Sequence, residues 1–115
     1  MTADQRLGKP MQRIIAKSEI LVSTVSIWEM VLKNAKGKLP LPSGAISEQL
    51  EAQGFILLPI LPHHIDALRN PGSLIIKHPD PFDRLLIAQA REEKLTLLTR
   101  DAAILALGLD RVAKG

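Results

Sequence analysis

The sequence predicts an α/β fold in three layers, a central parallel sheet covered by helices on both faces, and two observations carry that expectation. Short apolar runs at residues 20–23, 55–60 and 96–99 alternate with helix-patterned stretches. Strands joined by crossovers of about ten residues or more pair in parallel. Each run is also bounded by punctuation that a short connection needs, namely Gly37, Pro40, Pro42, Gly54, Pro62 and Pro81.

Residues 7–17 read as a helix, because Arg6, Lys9, Arg13 and Lys17 recur every three or four positions, opposite Ile14 and Ile15. The basic face is read as solvated surface. Residues 20–23 form a short buried strand, after which Thr24 caps a helix to Ala35 and Gly37 stops it. Residues 38–43 are a loop, and Ser43 or Ser47 opens an amphipathic helix to Gln53. Gly54 ends it, and residues 55–60 are the next strand. Pro62 opens a helix to Arg69, and residues 70–80 are irregular, as an exposed active-site loop would be. A long helix over 81–93, a strand over 96–99, a short helix over 102–107 and an edge strand from Val112 complete the chain.

Composition narrows the function. With 115 residues and 46% apolar content, residues 1–115 make one domain. The absence of cysteine excludes a disulfide framework and a thiolate zinc site and fits a reducing cytoplasm, leaving His63, His64 and His78 as the soft ligands. The uncharged stretch 20–28 is far shorter than the roughly 18 apolar residues of a membrane span, and the polar N-terminus does not read as a signal peptide. A net charge of +3 and a pI near 9.5 are compatible with a polyanionic substrate. One Trp and two Phe do not make a stacking platform for bases, so RNA would be held by phosphate contacts and shape. No Gly-rich loop cradles a phosphate, which disfavours a phosphate-binding regulatory domain.

Three acids stand where such a fold gathers ligands, outside the carboxyl ends of strands. Glu29 lies little more than a helical turn past the strand 20–23, Asp101 directly follows the strand 96–99, and Asp83 is third in the helix opened by Asp80 and Pro81. Carboxylate oxygens suit the hard cations Mg²⁺ and Mn²⁺. Each acid also has an ordinary reading. Asp80-Pro81-Phe82-Asp83 is a good helix start, Glu29 and Lys33 have the i,i+4 order of a helix-stabilising pair, and Asp101 can cap the helix that follows. His63 and His64, at a helix start without a nearby ligand partner, read as exposed. His78 is close enough to the Asp80 turn to approach a substrate. Arg84 and Arg100 adjoin two of the acids, where either neutralises phosphate or pairs with the carboxylate.

Two stretches in order, His78-Pro79-Asp80-Pro81-Phe82-Asp83-Arg84-Leu85-Leu86-Ile87-Ala88-Gln89-Ala90 and Leu97-Leu98-Thr99-Arg100-Asp101, resemble the PIN domain. Ser26-Ile27-Trp28-Glu29, followed by Lys33 and by Gly37-Lys38-Leu39, resembles the same family, in particular the VapC-type toxins of toxin-antitoxin pairs. The resemblance implies a Mg²⁺- or Mn²⁺-dependent ribonuclease with Asp83 and Asp101 as metal ligands and Glu29 as a ligand or a residue that orients water. Thr99, Lys33, Arg84 and Arg100 would support them. It further implies RNA as substrate, cleavage to a 3′-hydroxyl and a 5′-phosphate, a cognate antitoxin as partner, a homodimer and a cytoplasmic location. One part of the family pattern is missing, an opening apolar strand that ends in Asp and lies at the centre of the sheet, for no apolar run precedes Asp4. Two functions therefore stand side by side: the nuclease, and an impaired remnant that only binds an antitoxin or RNA.

Overall fold

The computed structural model describes residues 13–16, 19–69, 80–99, 102–108 and 111–114. Among them, β1 (Arg13–Ala16), β2 (Glu19–Ser23), β3 (Ile56–Leu58), β4 (Thr96–Thr99) and β5 (Val112–Lys114) form one sheet in the order β3-β2-β1-β4-β5. The helices are α1 (Thr24–Ala35), α2 (Ile46–Ala52), α3 (Pro62–Asp66) with a 3-10 turn over Ala67–Arg69, α4 (Pro81–Glu92) and α5 (Ala102–Leu105).

The centre of the sheet corrects the sequence reading. Residues 13–16, expected within a helix, form β1, and β1 fills the central position that was expected to lack its strand. It runs antiparallel to both neighbours, with Ile14 opposite Leu21 on one side and Leu97 on the other. The pairs β2–β3 and β4–β5 are parallel, as expected. The sheet is therefore mixed rather than wholly parallel. The physical reason lies outside the local sequence: without β1 the inner edges of β2 and β4 would bury unpaired backbone groups, and the β-branched pair Ile14-Ile15 suits a strand. The helical spacing of four basic residues is a weaker demand. The remainder of the expected helix over 7–17 lies outside the described residues.

Alternation along the strands sorts the core. Val112, Leu97, Ile14 and Leu21 occupy matching register positions, and all four belong to or pack against a cluster completed by Val25, Leu58, Leu85, Leu86, Ile87, Ala90 and Ile104. Val22 and Leu57, each one residue out of step, pack with Met30, Leu39 and Leu50 in a second cluster. Side chains of successive strand residues point to opposite faces, so the sheet carries apolar packing on both.

The helix starts follow from short-range chemistry. Ser23, not Thr24, is the N-cap of α1: its Oγ accepts from the Val25 amide at 3.0 Å while Thr24 is already helical. Past the other end of α1, Gly37 adopts φ 71°, the left-handed conformation that glycine enters without a Cβ penalty. Asp80 caps α4 as expected, accepting from Phe82 N at 2.8 Å and Asp83 N at 3.3 Å, with Pro81 in the first turn.

Candidate active site

Two contacts align α1 and α4. At the carboxyl end of β2, the buried Ser23 donates its hydroxyl to Oε1 of the buried Gln89. Farther along α1, the Trp28 ring meets the Phe82 ring edge-on at 4.7 Å. Ser23 precedes Trp28 but Gln89 follows Phe82, so the helices lie side by side in opposite directions. The outer contact places Glu29 and Asp83, the next residue along in each helix, at the same end of this pair. Both are buried, at 8% and 3% exposure.

A buried carboxylate needs compensation, because taking its charge out of water costs far more than any single contact returns. Glu29 has Lys33 one turn on, with Nζ 3.9 Å from Oε2. That is the i,i+4 pair of the ordinary reading, at the long limit of an ion pair and with a half-buried lysine. Asp83 stands at the third position of α4, where the helix dipole favours an acid. Thr99, at the carboxyl end of β4, is also buried, and neither it nor the two acids lacks a partner. The oxygen-only donor set of Glu29 and Asp83 is the kind that Mg²⁺ or Mn²⁺ takes, so these residues fit the cation that the family implies. Asp101, Arg100 and His78 lie outside the described residues.

A second polar cluster lies toward the far end of α4. Glu93, ten positions past Asp83 and thus about 15 Å along the axis, accepts on a single oxygen, Oε2, from His63 Nε2 at 2.8 Å and His64 Nε2 at 2.9 Å. This corrects the expectation that both histidines are exposed: His63 is, but His64 is fully buried. The sequence reading missed the cluster because Glu93 is 29 residues from His64. A usable signal was present in Gln89, a polar side chain amid the apolar run of α4.

Two histidines and a carboxylate whose ligand atoms lie within 4.8 Å of one another have the composition of a metal site. The hydrogen bonds argue otherwise. His64 Nδ1 faces the Leu61 amide at 2.9 Å, and an amide N–H can only donate. Gln89 Nε2 approaches the same nitrogen at 3.2 Å, and its orientation is fixed because Oε1 accepts from Ser23 and Nε2 donates to the Pro59 carbonyl. Nδ1 is therefore an acceptor, the ring proton sits on Nε2, and Nε2 has no lone pair for a metal. A ligating histidine shows the reverse polarity, with its second nitrogen donating. The cluster is a structural tie from β2 through α4 to α3.

Both histidine bonds hold the Glu93 carboxyl below the usual glutamate range, against a smaller opposing effect of burial. A depressed folded-state pKa contributes stability above the unfolded-state value and loses it as pH falls through the folded one. Glu93→Gln should therefore lower stability at neutral pH and flatten its decline below about pH 5. Urea midpoints measured across the acid range check this; parallel curves for the two proteins would contradict it.

Among the described residues no helix is long and apolar enough to cross a membrane. No curated protein and no solved structure matches the chain. The PIN domain family matches residues 1–113, all but the last two positions, so the buried acids on α1 and α4 and the α/β sheet beneath them belong to a member of the PIN domain family.

Proposed function

We propose that this protein is a metal-dependent endoribonuclease, the toxin of a toxin-antitoxin pair of the VapC type, formed by a single PIN domain over residues 1–115. PIN domains are nucleases in general, and the observation that supports this reading most is the burial of Glu29 and Asp83 at one end of the α1–α4 pair. Apolar packing on both faces of the sheet supports the three-layer arrangement expected of the family.

Asp83 and Glu29, joined by Asp101 in the family pattern, would hold Mg²⁺ or Mn²⁺. The cation, when bound, supplies a water of lowered pKa and charge stabilisation at phosphorus. The chain's own residues do the rest. Asp83 is fixed by its place in the capped first turn of α4, and Glu29 by its neighbours Ser26 and Met30, both fully buried. Glu29, with Lys33 one turn on, would accept a proton from the attacking water. Thr99 would orient a carboxylate, and Lys33 and Arg100 would face phosphate. A cognate antitoxin, self-association and a cytoplasmic setting complete the reading.

One observation favours the second reading, a remnant that binds without cutting. Arg13 lies opposite Val22 and Leu98, so the residue that β1 brings to the carboxyl end of the sheet is basic, where the family pattern has an aspartate. The full chain incubated with single-stranded RNA in Mg²⁺ or Mn²⁺ decides between the two. Cleavage that stops on chelation is expected; RNA retained intact in both metals would select the remnant.

A further inference from the structure

Arg84 breaks two local rules at once. It lies in the N-terminal part of α4, where the helix dipole disfavours a cation, and its Nε is buried with no hydrogen-bond acceptor among the described residues. Arginine is always charged, so its donors cannot be silenced by losing a proton. A folded chain gains nothing from such a group, and violations of this kind concentrate at functional sites.

The surroundings identify the missing partner. Asp80 already accepts from the amides of Phe82 and Asp83, so the helix start is satisfied and does not itself call for an anion. The Arg84 Nε–H is what remains without an acceptor among the described residues, one residue from Asp83 and at the end of α4 where the Trp28 and Phe82 rings meet. A phosphodiester offers two acceptor oxygens in the geometry of the guanidinium fork, and its charge offsets both faults. We propose that Arg84 is a substrate-binding residue whose guanidinium donates to a non-bridging phosphate oxygen of single-stranded RNA beside the Asp83 carboxylate. The proposal rests on the nuclease reading and names a contact within it.

This role separates affinity from stability. Removing a buried donor that has no acceptor among the described residues should leave the fold as stable or more so, whereas removing a structural arginine destabilises it. Arg84→Met should thus raise the thermal midpoint or leave it unchanged while weakening binding of a short single-stranded RNA in chelator about tenfold or more. The slope of log affinity against log salt should shrink by roughly 0.7, the value for one phosphate contact on a single strand. Arg84→Lys keeps the charge but not the fork, and should recover the slope without the full affinity.

In the unaltered chain, the Arg84 Nε–H resonance, assigned by its loss in Arg84→Lys, should move as that RNA is titrated in. A stationary resonance while RNA binds or is cut, or a destabilised Arg84→Met with unchanged affinity, would overturn the proposal and leave the nuclease reading standing. A chain that neither binds nor cuts RNA would overturn both.

Discussion

Asp83→Asn should lower the rate of RNA cleavage at least about a hundredfold, roughly 3 kcal/mol of transition-state stabilisation, with little change in folding. Asparagine has the shape of aspartate and keeps one acceptor oxygen, but it lacks the charge that holds a divalent cation. The ordinary reading of Asp83 as an acid complementing the α4 dipole predicts a different pattern. The dipole contribution is on the order of 0.3–1 kcal/mol, felt as stability and not as rate. Steady-state cleavage and urea denaturation of the same preparation separate the two. A variant that cuts RNA at the original rate but unfolds at lower urea would return Asp83 to a helix-start role and leave the nuclease assignment without its best-placed carboxylate.

What was legible in the sequence was whatever short-range chemistry dictates. The Asp80-Pro81 start of α4, the glycine after α1 and the strand over 96–99 are each set by a few adjacent residues, and each stands where expected. The one-position error at Ser23 and Thr24 is of the same kind, since either hydroxyl can cap. The failures needed partners far along the chain. Nothing near His64 announces Glu93, and nothing near Ile14 announces Leu97, 83 positions on. Glu29 and Asp83 were named from their positions after a strand and in a helix start. Their placement at the same end of the α1–α4 pair depends on Trp28 meeting Phe82, which no local pattern encodes.

The second large effect is expected at the centre of the sheet. Ile14 is fully buried and lies between Leu21 and Leu97 in the two ladders of β1. Ile14→Ala removes three carbons from a site hemmed in on both sides by strands, where collapse of the cavity is restricted, and should cost about 2–5 kcal/mol. Against a total of roughly 5–15 kcal/mol for an ordinary domain, that leaves a chain partly unfolded at 37 °C or rich in aggregate. The loss should exceed that of Ile56→Ala, because Ile56 lies on the edge strand β3 and is 43% exposed. Hydrogen exchange supplies the independent reading. If β1 closes the sheet, the amides of residues 14 and 15 exchange as slowly as those of β2 and β4, since all must wait for the same opening. Fast exchange at Ile14 and Ile15, together with equal costs for the two alanine variants, would mean that β1 does not hold the centre in solution. The inner edges of β2 and β4 would then be open to another strand, including one that brings an aspartate to the carboxyl end in place of Arg13.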